Sequence, residues 1–438
     1  MRDHVLATAR WHVWSPHSAT MRRLLPSTLL IAAVFAFHAL ALQIPFLGNS
    51  LDSLEPHTRT AAAFKLRQVF HHGIGANATL HRRLDVPESH AFETGTSEFY
   101  LSSVSKNVTR LSQRDPDFME SYLAYTRRPN AIKITDFDWI HEDVCTPNIS
   151  DPETLGTLAR MTADAYVAVP ASNDWVDVGE PYNETLGFGW DDKGVRGHVF
   201  ADDENKTVVV AIKGTSSTLF DSDGDTVAND KINDNLLFSC CCARISYIWT
   251  TVCDCYQKSY TCSQTCLEDA LYAEDKYYRG LLDIYRNTTS LYPTATIWLT
   301  GHSLGGSMAA LLGRTYGVPT VAFEAPPERL AAQRLHLPFP PVPANESTIW
   351  HYGNTADPIF MGVCNGPSSA CWVGGYAMET QCHSGLECIY DTVKDKKWHV
   401  SVSSHRIKAV IDMIAGYNIT PPCVERSDCQ DCFDWEFV

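Results

Sequence analysis

The sequence is short of basic residues: 35 lysines and arginines stand against 51 aspartates and glutamates, for a formal net charge of −16. A general nucleic-acid binder needs a basic surface, so this balance argues against nucleic acid as a partner. The same deficit argues against adhesion to anionic membranes by charge alone. The sequence also shows no internal repeat, which argues against a repeat architecture.

Long apolar runs are also missing, with one exception at residues 24–42. That run is about long enough to span a bilayer, and Arg22 and Arg23 directly precede it. Because positive charge marks the cytosolic side, we predict a type II signal anchor, with residues 1–23 as a cytosolic tail and the rest lumenal. A cleaved signal peptide is the alternative, since residues 39–41 (Ala-Leu-Ala) resemble a cleavage site, but the long polar leader favours the anchor.

Cysteine, by contrast, is abundant, with 15 residues, and eight Asn-x-Ser/Thr sequons accompany it. Together they indicate passage through an oxidising secretory lumen, where disulfides form and asparagines are glycosylated. Because 15 is odd, at least one cysteine must be free or paired between chains. The predicted glycosylation sites are Asn77, Asn107, Asn148, Asn183, Asn205, Asn287, Asn345 and Asn418.

Three sequence patterns resemble metal-binding or redox-active motifs. Residues 221–225 resemble a calcium loop, but the glycine stands at the fourth position and Ile232 occupies the place of the bidentate glutamate. The cysteines between 240 and 266 could suggest zinc, but no histidine has ligand spacing and the compartment favours disulfides. The Cys-x-x-Cys motif at 429–432 lacks a βα context and has Cys423 beside it, so a small local disulfide is expected. We therefore expect no metal and no cofactor.

The pattern of apolar residues becomes orderly from residue 151 onward. A helix is predicted over 152–166, a hairpin over 194–200 and 207–213, and a helix over 267–285. Further predicted elements are strands at 294–300, 318–323 and 348–352, a helix beginning at 307, and a closing helix over 404–414. Alternating buried strands and helices predict an α/β fold with a mostly parallel sheet. Residues 43–150 are predicted to be a separate lumenal region, before a catalytic domain over 151–438.

The most informative motif is Gly-x-Ser-x-Gly at residues 301–305, with Ser303 at its centre. A predicted strand precedes the motif and an apolar helix follows it. This strand–turn–helix context is what a nucleophile elbow requires, because the sharp turn exposes the serine hydroxyl. Ser303 is therefore the predicted nucleophile of an α/β-hydrolase.

A serine hydroxyl needs a histidine to take its proton and an acid to hold that histidine, and in α/β-hydrolases these follow in the order Ser, Asp, His. Asp357 lies just after the strand predicted at 348–352, which places it at the carboxyl edge of the sheet. Three histidines follow Asp357. His405 begins the closing helix and is the predicted base, His399 is the second candidate, and His383 lies between two cysteines.

An oxyanion hole needs two donors that are already in place before the reaction. The backbone N–H of Leu304, directly after the nucleophile, is one candidate. The second is the N–H of Thr215, because Gly214 permits a tight turn at the end of the buried strand 207–213.

These residues resemble those of the fungal class 3 lipases, through residues 212–215, the 301–306 motif, Asp357 and His405. Segments 230–244 and 252–256 narrow the resemblance to the autophagy-related vacuolar lipases of fungi. The resemblance implies a class 3 lipase-like α/β-hydrolase: a glycosylated membrane protein that travels through the endoplasmic reticulum, Golgi and multivesicular bodies to the vacuole. It also implies hydrolysis of phospholipids in intravacuolar vesicles and autophagic bodies.

Two other functions are open at this stage. One is a secretory carboxylesterase of the feruloyl-esterase type, and the other is an inactive hydrolase fold that serves as a binding domain. Residues 216–266 form a cysteine-rich insertion between the predicted oxyanion loop and the elbow. Its apolar stretches 236–238 and 245–249 could form a lid over an acyl groove, or could be core around the disulfides. The sequence gives no oligomeric state.

Overall fold

The computed structural model describes ten stretches of the chain: residues 64–72, 81–85, 101–128, 139–167, 194–202, 204–216, 226–245, 249–341, 346–426 and 428–438. All of them belong to a single compact unit that begins at Pro56. The predicted tail 1–23 and anchor 24–42 lie outside these stretches. Within them, no helix has the length and apolar character needed to cross a bilayer.

The described helices alternate with strands along much of the chain. The helices are α1 (Pro116–Thr126), α2 (Pro152–Asp164), α3 (Val227–Phe238), α4 (Gln264–Tyr272), α5 (Tyr277–Leu291), α6 (Leu304–Tyr316), α7 (Arg329–Arg334), α8 (Ala370–Gly374), α9 (Thr392–Lys396) and α10 (Ile407–Ala415). The strands are β1 (Phe64–His72), β2 (His81–Asp85), β3 (Ser103–Leu111), β4 (Trp139–Pro147), β5 (Val195–Asp202), β6 (Thr207–Ile212), β7 (Tyr256–Lys258), β8 (Thr261–Cys262), β9 (Thr296–His302), β10 (Thr320–Phe323), β11 (Ile349–Asn354), β12 (Leu386–Tyr390), β13 (Cys423–Val424) and β14 (Glu436–Phe437).

A nine-stranded sheet organises the fold, in the order β13-β12-β11-β10-β9-β6-β5-β1-β2. The five central strands from β12 to β6 run parallel, and the outer strands pair antiparallel. The predicted hairpin is confirmed as β5 and β6. Parallel strands bring their carboxyl ends to one edge, so the loops after β6, β9, β11 and β12 converge there.

Both faces of the sheet are covered by apolar layers. In β6, Val208, Val210 and Ile212 face one buried cluster, which includes residues of α5 and α6. Val209 and Ala211 face the opposite cluster, which α2 and α10 complete. A central strand with two buried faces reads as a continuous apolar run, as the sequence of β6 does.

The structure differs from the predictions in a domain boundary and in the division of one helix. Residue 150 does not separate two structural regions, because β1 pairs along its length with β5 and so extends the central sheet. The helix predicted over 267–285 is two helices, α4 and α5. The chain is extended at Ala273, and α5 begins where the side chain of Asn233 accepts the backbone N–H of Tyr277 at 3.0 Å.

Fourteen of the cysteines form disulfides, and Cys145 is free. The disulfide-rich insertion is therefore confirmed, with consecutive cysteines 240–242 bonded to three different partners. The pairs are Cys240–Cys432, Cys241–Cys262, Cys242–Cys253, Cys255–Cys266, Cys364–Cys371, Cys382–Cys429 and Cys388–Cys423. The prediction of a local disulfide at the motif 429–432 is wrong, because both of its cysteines bond to partners that are distant in sequence.

The structure bears differently on the two apolar stretches that could form a lid. Residues 236–238 end α3, are at most 2% exposed and belong to the main core, which favours the second of the two alternatives, a structural role in the core. Most of the stretch 245–249 lies outside the described residues, and Trp249 packs against Trp372 with ring centroids 5.6 Å apart. A lid role for that stretch stays a prediction.

Candidate active site

Ser303 lies at the junction of β9 and α6, in a backbone conformation that residues other than glycine rarely adopt. Its φ is 56° and its ψ is −132°. This strained turn depends on close packing of the flanking backbone, because a Cβ on Gly305 would overlap the carbonyl oxygen of Ile212 at the end of β6. The strand–turn–helix geometry predicted for this motif is present.

The structure brings Ser303, His405 and Asp357 together in one hydrogen-bonded chain. Nε2 of His405 lies 2.8 Å from the Ser303 hydroxyl, and Nδ1 of His405 lies 2.7 Å from Oδ2 of Asp357. His405 ends a 3-10 turn (Val402–His405) just before α10, rather than beginning the helix as predicted. All three side chains are at most 2% exposed.

The two alternative histidines lie elsewhere. His399 is exposed on the loop before the 3-10 turn. His383 is buried beside Glu328, whose carboxylate lies 3.5 Å from its Nδ1. Among the histidines that follow Asp357, only His405 reaches Ser303 in the described part of the chain.

A buried glutamate, Glu324, lies next to Asp357, and no sequence pattern pointed to it. Burial raises the pKa of Glu324 well above its ordinary value, and the negative charge of Asp357 raises it further. Burial alone would also raise the pKa of Asp357, but His405 and hydrogen bonds, including one from Glu324, lower it. These opposite shifts favour a proton on Glu324, donated to an ionised Asp357, while Asn354 Nδ2 donates to Oε1 of Glu324 at 2.6 Å.

His302 and Tyr166 support His405 from the other side. Nε2 of His302 lies 2.6 Å from the backbone carbonyl of His405, and the Tyr166 hydroxyl lies 2.8 Å from Nδ1 of His302. Burial, together with the nearby His405, lowers the pKa of His302 to about 3, so this ring is neutral. A neutral ring that accepts from Tyr166 donates through Nε2 and holds the His405 backbone in place.

The predicted oxyanion residues lie against the elbow. Thr215 follows β6, and Leu304 is the first residue of α6, where a helix leaves its N–H groups without partners in the helix. A Cβ on Gly214 would overlap the carbonyl oxygen of His302, which shows how tightly the two turns pack. The Thr215 hydroxyl donates to Oδ2 of Asp234 at 2.7 Å, which ties this loop to α3.

Helix α3 holds the loop that carries Thr215. Asp230 and Asp234 are four residues apart on one helix face, and both are buried. Oδ2 of Asp230 accepts the backbone N–H of Ser216 at 2.8 Å and lies 3.3 Å from Nζ of Lys213. The sequence offers only a pair of acids at helical spacing in a helix that is polar over most of its length, and their burial alone identifies them as supports of the loop.

The predicted glycosylation sites differ in accessibility. Asn107, Asn205 and Asn418 are exposed, whereas Asn148 and Asn287 are half-buried. Asn77, Asn183 and Asn345 lie outside the described residues. Modification of each site stays a prediction.

The fold defines an α/β-hydrolase, and residues 209–317, from β6 to the end of α6, match the family "Lipase (class 3)". Two relatives named "Putative lipase ATG15" extend the match over most of the chain. The relative from Yarrowia lipolytica is 52% identical over 404 residues, covering 86% of this chain and 73% of that protein. The relative from Saccharomyces cerevisiae is 45% identical and covers 94% of this chain and 86% of that protein. The chain therefore belongs to the ATG15 lipase family, and it is a lipase.

Solved structures of fungal lipases are more distant. The Lip2 lipase of Yarrowia lipolytica is 19% identical, with a TM-score of 0.31, over 54% of this chain and 77% of that protein. The native Rhizomucor miehei lipase propeptide complex is 15% identical, with a TM-score of 0.30, over 63% of this chain and 73% of that one. Scores this low carry no conclusion about the site.

We expect the variant Glu324→Gln to be more stable than the wild type at neutral pH and equally stable near pH 4.5. The folded-state pKa of Glu324 lies above its ordinary value of 4.5, so over that interval the unfolded chain binds fewer protons than the folded one. Stability contributed by this group therefore falls as pH rises, by about 1.4 kcal/mol per pH unit between the two values. A glutamine keeps the hydrogen-bond donor to Asp357 and does not titrate.

The measurement is the unfolding temperature of both proteins from pH 4.5 to 8, together with lipase activity. The exposed Glu425→Gln is the matched control and should follow the wild type. Parallel curves for wild type and Glu324→Gln would contradict a protonated Glu324.

Proposed function

We propose that this lipase hydrolyses acyl esters of membrane phospholipids with Ser303 as nucleophile, His405 as base and Asp357 as the acid that orients His405. The observation that carries the proposal is the continuous hydrogen-bonded chain through the three side chains, at 2.8 and 2.7 Å. Because Asp357 is ionised, it accepts the Nδ1 proton of His405. Nε2 is then left with a lone pair directed at the Ser303 hydroxyl.

The reaction follows from this tautomer. Oγ of Ser303 forms a bond to the ester carbonyl carbon while His405 Nε2 takes its proton. The bond to the alcohol oxygen then breaks, and His405 returns the proton to that oxygen, which leaves an acyl enzyme. Water attacks the acyl carbon with His405 again as base, the fatty acid departs, and Ser303 regains its proton.

The negative charge that develops on the carbonyl oxygen needs donors in place beforehand. We assign this role to the backbone N–H groups of Thr215 and Leu304. This assignment is supported by the fixed position of both N–H groups. Asp230 and Asp234 hold the loop that carries Thr215, and Leu304 is the first residue of α6. Donors that need no rearrangement stabilise the transition state most.

Action at a lipid surface is supported by two features. Ser303 is only 2% exposed, which suits a site that is shielded from water until the enzyme contacts lipid. The connections after β11 and β12, which carry Asp357 and His405, also expose apolar side chains to solvent. These are Val363 (59% exposed), Val373 (74%), Val393 (38%) and Val400 (59%). Apolar side chains around a closed site are suited to contact with a membrane that triggers opening.

A lumenal location belongs to the same proposal. Fourteen cysteines in disulfides require an oxidising compartment, and exposed sequons are accessible to glycosylation there. With the type II anchor predicted at residues 24–42, the enzyme travels through the endoplasmic reticulum and Golgi to multivesicular bodies and the vacuole. Its partners there are the phospholipid membranes of intravacuolar vesicles and autophagic bodies.

The test is a comparison of substrates with the purified full-length chain. Mixed phospholipid vesicles, a triacylglycerol emulsion, a soluble short-chain ester and a feruloyl ester are offered at equal ester concentration, and acid release is measured. We expect release from vesicles, with a higher rate above the vesicle concentration at which the enzyme binds.

Other outcomes would redirect the assignment. Cleavage of the emulsion but not of vesicles would limit the protein to neutral lipids. Preference for the feruloyl ester would support a carboxylesterase. Binding to vesicles without hydrolysis of any substrate, by protein whose disulfides are intact, would indicate a binding domain.

A further inference from the structure

A second buried cluster of polar side chains lies outside the Ser303 site. It consists of Glu328, just before α7, His351 on β11 and His383 in the loop before β12. All three lie within the fold, with Glu328 and His351 at 0% and His383 at 6% exposure. Their ligand atoms lie within 4.8 Å of one another. No motif in the sequence joins the three residues, and the lipase mechanism uses none of them.

The carboxylate of the cluster, that of Glu328, is fully buried. A buried carboxylate is costly unless a positive charge or several hydrogen bonds compensate it. Glu328 accepts one backbone hydrogen bond, from Ser384 at 3.1 Å. Arg314, which is half-buried, donates to the carbonyl oxygen of Ser384, so its positive charge lies near this carboxylate without a hydrogen bond to it.

The ring nitrogens of the two histidines face the Glu328 carboxylate, and a cation between them would stabilise this arrangement. Nε2 of His383 lies 3.2 Å from the carbonyl oxygen of Phe360 and donates its proton there. In the neutral ring, Nδ1 then carries a lone pair, and it lies 3.5 Å from Oε2 of Glu328. Two acceptors that face each other repel unless a proton or a metal ion lies between them.

The distances in the cluster fit a metal better than a hydrogen bond. Nε2 of His351 lies 3.3 Å from Oε1 of Glu328, and neither this contact nor that of His383 Nδ1 has hydrogen-bond alignment. Zinc bonds to imidazole nitrogen and carboxylate oxygen are about 2.0–2.1 Å, so tetrahedral ligands are roughly 3.3 Å apart. The hydrogen bond from His383 to Phe360 is also the support that metal-bound histidines typically have.

We propose that Glu328, His351 and His383 form a buried binding site for a divalent transition metal, with Zn²⁺ as the ion that this donor set suits best. Two imidazoles and one carboxylate are nitrogen and oxygen ligands of the kind zinc takes, and a water completes four-coordination. This inference is independent of the proposed phospholipid substrate, and it revises the expectation that the protein holds no metal.

The position of the site indicates a structural role. The three ligands come from the connection after β10, from β11 and from the connection before β12, so one ion links three consecutive parts of the sheet. A cavity of about 100 Å³, lined by Ser384, Arg314 and Arg329 among others, borders the cluster at His383. A metal that binds only the folded chain stabilises it by a free energy that grows with the logarithm of its affinity.

The test uses the purified full-length chain after chelator treatment. One equivalent of Zn²⁺ is added, free metal is removed by desalting, and bound metal is measured by mass spectrometry. We expect about one zinc per chain and a higher unfolding temperature than that of the stripped protein. Co²⁺ in its place should give the intense visible absorption of a tetrahedral site, and X-ray absorption should show two imidazoles and oxygen without sulfur.

The variants His351→Gln and His383→Gln should each lose the bound metal. His198→Gln is the matched control, because His198 is equally buried on β5 but lies outside the cluster, and it should retain the metal. If a proton on His383 is the only counterion, wild-type protein retains no zinc and the proposal is overturned. Sulfur ligation, or undiminished zinc in both cluster variants, would overturn it as well. The wild-type measurements stand even where a variant fails to fold.

Discussion

Ser303→Ala is expected to lower lipid hydrolysis roughly 10⁴- to 10⁶-fold without loss of the fold. Alanine removes Oγ, the atom that accepts the acyl group, and leaves His405 with no proton to take. The donors assigned at Thr215 and Leu304 remain, so a small residual rate above the uncatalysed reaction is expected. The measurement is fatty-acid release from phospholipid vesicles together with vesicle binding, which should be unchanged.

Ser307→Ala is the matched control for this loss. Ser307 lies one turn further along α6, is equally buried, and donates to the carbonyl oxygen of Pro326 at 2.7 Å. Its removal costs a hydrogen bond in the same helix but none of the proposed chemistry. Comparable losses in the two variants would mean that α6 is disturbed, and full activity of Ser303→Ala would end its assignment as nucleophile.

Asp357→Asn is expected to lower activity about 10⁴-fold while the geometry of the site persists. The asparagine amide can donate to Nδ1 of His405, and this favours the tautomer whose proton is on Nε2, the wrong atom to act as base. It also removes the charge that stabilises the imidazolium formed when Ser303 attacks. The loss should appear in kcat rather than in binding of the substrate.

The control for Asp357→Asn is Asp412→Asn, an exposed acid on α10, the helix that follows His405. This variant should keep wild-type activity. If Asp357→Asn loses less than about tenfold, equivalent to some 1.4 kcal/mol of barrier, then Asp357 does not orient the base. In that case the neighbouring Glu324 would be the group to test next.

The core of the candidate site could be predicted because its signals are local or follow chain order. The motif around Ser303 combines glycines, a preceding apolar strand and a following helix, all within one short stretch of sequence. Asp357 follows a strand whose carboxyl end lies at the same edge of a parallel sheet. Of the three histidines that follow Asp357, His405 is favoured by its position at the closing helix, and the structure brings only that one to Ser303.

The supporting residues could not be predicted, because they act through contacts between distant parts of the chain. Glu324 has no sequence signal that distinguishes it from a surface glutamate, and only burial beside Asp357 keeps it protonated. His302 lies inside the elbow motif, yet its partner Tyr166 follows α2, far away in sequence. The pairing of the cysteines is of the same kind, since spacing does not show that Cys240 bonds to Cys432 near the carboxyl terminus.

Local chemistry along the sequence was thus enough to determine the α/β class, the elbow at Ser303, the order of the proposed catalytic residues and the richness in disulfides. Those features depend on backbone turns, on apolar periodicity and on composition, which are properties of neighbouring residues. The tertiary structure alone decided that residues before 150 extend the sheet, which cysteines pair, that Glu324 is protonated, and that Glu328, His351 and His383 meet. Each of these depends on which residues lose water together when distant segments pack, because burial determines charge state and proximity determines bonding.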